Sequence, residues 1–460
     1  MDHRLAADLD DLPALLAATR DLAVRALAGL EHRPAAVTPS PAKPEPLPHN
    51  GIGLRATLAE FERRWEPGLS GSAGPRYAGF VTGGTTPAAL AGDWLTSTYD
   101  QNACTARDSS ASELEHQTIA WIAELLGIGP DHAGAFVTGA TMSNLVGLAV
   151  AREWLGERRG VSVADQGVGA LGPITVLSGS PHSTIYKALS VLGIGRDAVR
   201  LLPTLPGREA VDVAALRDAL VAGPAIVVAN AGTVNTVDFD DIAAIADLRD
   251  EYDFWLHVDG AFGAFAAVTP DHAHLVAGID RADSICVDMH KWLNVPYDSG
   301  VQFTRRRDLQ LRIFGNSAVY LGLPTEDDPD FVHLTPESSR RLRALPAWCA
   351  LLAYGREGHR DIVERDVMAA HRLGDQLSHD EHIRLMAPVR LNVVCFTLAE
   401  NPTAERMNAW VDAIAATGET FVTPTVLDGV PGIRAAFSNW RTTDADVDRI
   451  ARAITTCTPR

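Results

Sequence analysis

The chain has 460 residues, room for two domains or one large one with an appendage, and for a sizeable core. Its 40 Lys and Arg against 58 Asp and Glu leave a formal charge of −18, an acidic balance that argues against a phosphate backbone or an anionic membrane surface as partner. Five cysteines, Cys104, Cys286, Cys349, Cys395 and Cys457, follow no paired spacing, so neither a disulfide framework nor a zinc site is expected. The opening "MDHRLAADLDDL" is acidic where a secretion signal is basic, and no apolar run approaches membrane-spanning length. The expectation is a cytoplasmic protein.

Residues 1–33 carry Leu12, Leu15, Leu16, Leu22, Val24 and Leu27 among charged positions, the pattern of amphipathic helix. The proline-dense "RPAAVTPSPAKPEPLPHNG" (33–51) then predicts an extended arm, suited either to a partner subunit or to a surface linker. Residues 1–74 are read as this helical segment and arm. From about 130 to 305, short β-rich runs alternate with helix-length stretches: "GAFVTG" (134–139), "PITVLSG" (173–179), "AIVVAN" (225–230), "FWLHVD" (254–259), "SICVD" (284–288) and "GVQFT" (300–304). Apolar strands separated by helices predict an α/β domain, residues 75–360, with a mostly parallel sheet covered on both faces. Ligands of such sheets lie beyond the carboxyl ends of the strands, where Asp259 and Asp288 fall. After the helical "SSRRLRALPAWCALLAYG" (338–355), "LNVVCFTLA" (391–399) and "GIRAAFSNW" (432–440) flank a helix at 404–418, so residues 361–460 are read as a small α+β domain.

Lys291 follows directly on the buried-strand run "SICVD". An amine there is costly unless it is neutralised, paired or used covalently. One chemistry that needs it is a Schiff base with pyridoxal phosphate, in which desolvation lowers the amine's pKa enough to make it nucleophilic. The other reading is a surface lysine in a turn. A pyridoxal enzyme also needs an acid that keeps the pyridine nitrogen protonated, and Asp259 ends an apolar strand ahead of small residues that let a flat ring lie close. In "FVTGATMSNLVGLAVAREW" a strand enters a helix through Gly139, Ala140 and Thr141, with Met142, Leu145, Val146 and Ala149 as the buried stripe. The free N–H groups of such an N-terminus suit a phosphate. His182 in "SGSPHSTIYKALSVLG" stands between strand and helix, placed either to stack on the cofactor ring or merely to cap the helix.

In this order the stretches resemble the group II pyridoxal-phosphate-dependent amino-acid decarboxylases, the family of aromatic-L-amino-acid decarboxylase and glutamate decarboxylase. "PRYAGFVTGGTTPAALAGDWL", "SELEHQTIAWIAELLG" and the closing "SNWRTTDADVDRI" are similar to the family as well. The resemblance implies fold type I: a large domain with a mixed, mostly parallel seven-stranded sheet, a small C-terminal domain, and a homodimer with shared active sites. It implies that Lys291 forms the Schiff base, Asp259 pairs the pyridine nitrogen and His182 stacks on the ring. Ala140, Thr141 and His290 then lie around the phosphate, Asp288 and Thr233 near the cofactor, and Ala261 against the ring.

The reaction so implied is loss of carbon dioxide from an L-amino acid, after which Cα must be protonated. Family members that make amine carry a tyrosine on a loop ahead of the "SRR…L…W" helix. Counting back from Arg340 and Arg341, that position is Phe331, with Leu334 as the other candidate, and neither can give a proton. Tyr320 falls outside the loop's usual position. With phenylalanine there, the intermediate can react with oxygen, and the alternative product is an aldehyde with ammonia and peroxide. A second departure is "RDSSASELE", where Asp108, Ser109 and Ser110 replace a serine-proline-small pattern beside the substrate pocket. A transaminase or a sulfur-removing lyase would use the same Asp, His and Lys; the former needs a carboxylate-binding arginine, for which Arg434 is the candidate. A scaffold without activity would be expected to lose Lys291 or Asp259, and both are present. Phe80, Trp94 and Tyr99 suit an aromatic substrate side chain, or else belong to the core.

Overall fold

The computed structural model describes residues 1–38, 43–316 and 329–459. Strands form where β-branched and aromatic residues run without a break: β1 (Ala133–Val137), β2 (Val176–Ser178), β3 (Val199–Leu201), β4 (Ala225–Asn230), β5 (Phe254–Asp259), β6 (Ser284–Asp288) and β7 (Gly300–Thr304). They pair as one seven-stranded sheet in the order β1-β7-β6-β5-β4-β2-β3, with β7 alone running against the others. This is the mixed, mostly parallel sheet expected. The short, half-exposed β3 was not expected, because three residues at a sheet edge carry no periodicity.

Every position of β4, β5, β6 and β7 is buried, so both faces of the sheet must be covered. Along β4, Ile226 and Val228 join the cluster beneath the helices Ala140–Arg159 and Ser183–Val191, while Val227 and Ala229 face the opposite one. The strand ends are thereby fixed between two layers of packed side chains. Whatever Asp259 and Asp288 carry at those ends is held as firmly as the core itself.

A second sheet, four-stranded and antiparallel, holds β8 (Ile383–Leu385), β9 (Val393–Leu398), β10 (Thr423–Leu427) and β11 (Val430–Ala436) in the order β10-β11-β9-β8. The helices Ala404–Ala416 and Asp444–Thr456 cover it through Trp410, Ile414, Val447, Ile450 and Ile454. One long helix, Ala344–Ser378, joins the two bodies and breaks at Gly355, whose φ of 57° only glycine adopts without strain.

The predicted helix from Ser338 begins only at Ala344. Its first turn is lost because Arg340 is drawn inward: Nη2 donates to Glu115 Oε1 at 2.7 Å and to the Phe136 carbonyl at 2.8 Å, and Nη1 to the Ala103 carbonyl at 2.6 Å. A buried ion pair outweighs a turn of helical propensity. The N-terminal stretch forms the helices His3–Asp10 and Leu12–Ala28, broken at Asp11 before Pro13, followed by Leu54–Arg64. Leu15 packs inward, whereas Leu5, Leu9, Leu16 and Val24 stay exposed. Among the described residues no helix is long and apolar enough to cross a membrane.

Candidate active site

The carboxyl ends of β1, β2, β4, β5 and β6 open on a cleft of about 450 Å³. Ala140, Thr141, His182, Thr233, Asp259, Ala261, Asp288, His290 and Lys291, drawn from separate stretches of sequence, all line it, with Phe80 at its rim. The surface-turn reading of Lys291 is thereby set aside.

Lys291 sits three residues past β6 and its neighbours hold it there. The Trp292 ring is fully buried and its Nε1 donates to Asp366 at 2.7 Å, inside the core, while burial pushes the Asp366 carboxyl well above its ordinary range. On the other side Gly83 of the "TGGTT" loop runs so close that a Cβ would meet the Lys291 carbonyl oxygen at 1.7 Å. Nζ pairs with Asp288 Oδ2 at 2.8 Å and lies 5.5 Å from the Phe262 ring centre. Burial alone would lower the amine, the effect expected from the sequence. The charge and hydrogen bond of Asp288, helped by Asp259, outweigh it, so Lys291 lies above its ordinary value.

Asp259, at the end of β5, is fed by a line of donors whose directions are fixed one by one. Asn144 Nδ2 donates to Asp259 Oδ2 at 3.0 Å, which leaves Asn144 Oδ1 to accept from His257 Nε2 at 2.9 Å. His257 Nε2 therefore carries the hydrogen, Nδ1 accepts from the Ser284 hydroxyl at 2.7 Å, and Ser284 Oγ in turn accepts from Trp255 Nε1 at 2.9 Å. Burial pulls His257 down to about 4, so it stays neutral and the line keeps its direction. The second carboxylate oxygen accepts the Ala261 N–H at 3.2 Å. Asp259 is thus held as an acceptor, the state that pairs a protonated pyridine nitrogen.

The same Asn144 amide donates to Thr184 Oγ1 at 3.2 Å, so the Thr184 hydroxyl points to His182 Nδ1 at 2.8 Å and leaves the hydrogen on Nε2. His182 caps the helix Ser183–Val191, accepting from the Thr184 N–H, and it also lines the cleft. Burial keeps it below its ordinary value.

At the other end of the cleft the helix Ala140–Arg159 begins at Gly139, where a Cβ would meet His290 Cε1 at 2.9 Å. Its first N–H, from Ala140, goes to Asp288 Oδ1 at 2.6 Å. His290 accepts the Ser299 N–H on Nδ1, which leaves the hydrogen on Nε2, a nitrogen 3.6 Å from the same Asp288 oxygen.

Three predicted residues are elsewhere. Phe331 is fully buried in its own chain, its ring 4.6 Å from that of His116 and 4.9 Å from the Arg340 guanidinium, and it does not line the cleft. Trp94 and Tyr99 are exposed on the helix Pro87–Tyr99, so they belong neither to the core nor to this chain's cleft. Leu334 is buried as well, Asp108, Ser109 and Ser110 are outside the lining, and Tyr320 lies outside the described residues. Thr233 is at the cleft, but its hydroxyl is spent on Glu209 Oε2 at 2.6 Å, which also holds Thr236 and Asn235. Glu209 carried no motif that would have marked it.

Two residues were given too little weight. Tyr297, six positions past Lys291, is the one tyrosine among the described residues of the lining, its ring 4.3 Å from His290 and its hydroxyl 3.5 Å from that of Thr82. Arg434 of β11 is buried at the cleft, its Nη1 on the Phe80 carbonyl at 3.3 Å, while Nε and Nη2 have no partner among the described residues.

A lysine amine, an oriented carboxylate and a helix N-terminus around one cleft define the class of fold type I pyridoxal-phosphate enzymes, and their donors and acceptors fit that cofactor at its aldehyde and ring. The profile of the pyridoxal-dependent decarboxylase conserved domain matches residues 38–399, and the chain belongs to that family. It is 28% identical over 426 residues to an aromatic-L-amino-acid decarboxylase of Bacillus atrophaeus, covering 89% of this chain and 86% of that one. It is 25% identical over 430 residues to 4-hydroxyphenylacetaldehyde synthase of Rhodiola rosea, with 89% and 86% covered. The fold matches a Catharanthus roseus tryptophan decarboxylase solved with L-tryptophan, at a TM-score of 0.87, 23% identity and 98% of both chains. It matches an Oryza sativa relative solved with PLP and tryptamine at a TM-score of 0.89, 24% identity, and 98% and 99% coverage. The protein is therefore a carboxy-lyase of the amino-acid decarboxylase kind, with pyridoxal phosphate as cofactor.

Asn144 supports Asp259 and His182 together. Asn144→Ala, saturated with pyridoxal phosphate, should keep the absorbance of the bound cofactor yet lose roughly 10–150-fold in turnover, the worth of a hydrogen bond to a charged group. Turnover equal to the parent's would contradict the donor line.

Proposed function

We propose that the protein removes the carboxylate of an aromatic L-amino acid to yield the amine and carbon dioxide. Pyridoxal phosphate supplies the electron sink at Cα. Asp259 keeps the ring nitrogen protonated, Lys291 anchors the cofactor, and His182 offers its Nε2 hydrogen to the cleft. Arg434 supports an acidic substrate group: a buried guanidinium with two unpartnered nitrogens is a costly arrangement that a carboxylate would relieve. Phe80, Val81, Met142 and Phe262 give the cleft the apolar wall that an aromatic side chain needs.

The observation that carries the choice of amine is Tyr297. Its phenol lines the cleft, exposed and only weakly engaged, and is a proton source for Cα that does not depend on position 331. A second reading, oxidative deamination to the aldehyde, is favoured by the similarity to the Rhodiola rosea synthase.

We infer a homodimer as the working form. Leu5, Leu9, Leu16 and Val24 of the N-terminal helices, together with Trp94 and Tyr99, leave large apolar side chains in solvent that a second copy would cover. Five free thiols support a reducing compartment, the cytoplasm.

The functional test supplies the loaded protein with tyrosine, tryptophan, phenylalanine, glutamate and an aliphatic amino acid while carbon dioxide, oxygen and peroxide are followed together. Carbon dioxide without oxygen uptake, greatest on an aromatic substrate, is expected, and Tyr297→Phe should begin to consume oxygen and release peroxide. Oxygen loss matching carbon dioxide in the parent protein would establish the aldehyde reading instead. For assembly, sedimentation should give twice the 49.2 kDa chain mass, and the chain mass alone would refute the dimer.

A further inference from the structure

The phosphate end of the cleft presents a conflict of charge. The N–H that opens the helix Ala140–Arg159 is the donor a phosphate would take, and in this structure it is given to the carboxylate of Asp288 at 2.6 Å. Asp288 is 2% exposed, and the one cation that neutralises it is Lys291, at 2.8 Å. Lys291 is also the amine that carries the cofactor. Once it is so engaged, a buried carboxylate and a phosphate dianion face the same helix terminus.

No neighbouring group resolves the conflict. Around Asp288 stand Lys291 and His290 from the loop beyond β6, Cys286 on its own strand, Asp259 on the adjacent strand β5, and His182 on the helix across the cleft. Burial holds both histidines below their ordinary values and so keeps them neutral at physiological pH, and it pushes the Cys286 thiol well up, so it carries no charge either. Asp259 is committed to the ring nitrogen. The remaining cation of the lining, Arg434, is assigned above to the substrate's acidic group.

We propose that Asp288 is a neutral carboxylic acid whenever the cofactor phosphate is bound, so that the phosphate is met by an O–H donor in place of a second anion. Two anions crowded into one buried site share a proton for the same reason that paired carboxylates do. Phosphate binding then takes up one proton, and the protein loses grip on the phosphate as pH rises. Asp288 is in this way a positioning residue that makes cofactor retention depend on pH. This rests on Lys291 and Asp259 being the anchor and ring partner assigned above.

The test compares pyridoxal phosphate with pyridoxal, which lacks the phosphate, by titrating cofactor-stripped protein between pH 7 and 9, where the phosphate is fully dianionic because its second pKa is about 6. Their affinity ratio cancels the titration of Lys291 and the ring. In the parent protein the preference for the phosphate should fall, approaching tenfold per pH unit above the acid's midpoint. In Asp288→Asn, whose amide donates at every pH, the ratio should be flat and pyridoxal phosphate should bind roughly tenfold tighter than in the parent at pH 9. Infrared difference spectra of the parent on cofactor binding should show a carboxylic-acid carbonyl band that Asp288→Asn removes. A flat ratio in the parent without that band, or a variant that holds pyridoxal phosphate less tightly than the parent at pH 9, would overturn the proposal. Pyridoxal itself should bind both proteins, and dividing by its affinity removes the effect of Asp288 on Lys291; failure of either protein to bind it would point to the assignment of Lys291 and Asp259, apart from Asp288.

Discussion

A carboxyl group buried at the end of a central strand needs donors from its surroundings, and the line from Trp255 through Ser284, His257 and Asn144 brings one to Asp259. Its direction is set at the Asp259 end, where only the Asn144 amide nitrogen can donate, and Asn144, His257 and Ser284 then each take the one role left to them. Since the line crosses β5 and β6 and the helix Ala140–Arg159, the packing of those elements and the electronic state of the site are one property. A glycine at 147 completes it: a Cβ there would meet His257 Cε1 at 2.7 Å. The helix can approach β5 closely enough for Asn144 to reach both Asp259 and Thr184 only because that position is bare.

The second constraint is the balance of charge in a small volume. Lys291 and Arg434 face Asp259 and Asp288 across the lining, two against two. A dianionic cofactor and an amino-acid carboxylate upset that balance, and the site has few means of restoring it. Arg434 is free to take the substrate's charge, and proton uptake at Asp288 offsets the phosphate. Lys291, raised above its ordinary value by Asp288, is protonated until that pair opens, so the amine becomes nucleophilic through release of its partner and not through burial alone.

Much of this was legible in the chain itself. The runs ending at Asp259 and Asp288 read as buried strands because they are continuous and apolar, and they occupy the predicted residues 254–259 and 284–288. Lys291, His182 and Ala140 could be placed at one rim because parallel strands deliver their carboxyl ends to one side. What could not be read was contact between distant segments. Asn144 and His257 sit within helix and strand patterns whose polar members signal nothing until the two elements touch. Arg434 looked like one strand residue among others, and only the seating of the small sheet against the large one turns it to the cleft. Phe331 was placed by counting along a loop, and counting does not reveal that Arg340 pulls the following turn into the core and takes the phenylalanine with it. Lys291, read as an amine lowered by desolvation, lines the cleft but lies above its ordinary value, since Asp288's effect requires its distance.

The account depends first on Lys291 carrying the cofactor in the position these contacts define. Borohydride reduction of the loaded protein followed by peptide mapping tests this directly. A single pyridoxyl adduct on Lys291, with loss of the bound-cofactor absorbance in Lys291→Ala, is the predicted result. An adduct on another lysine, or a Lys291→Ala protein that still turns over at the parent rate, would contradict it.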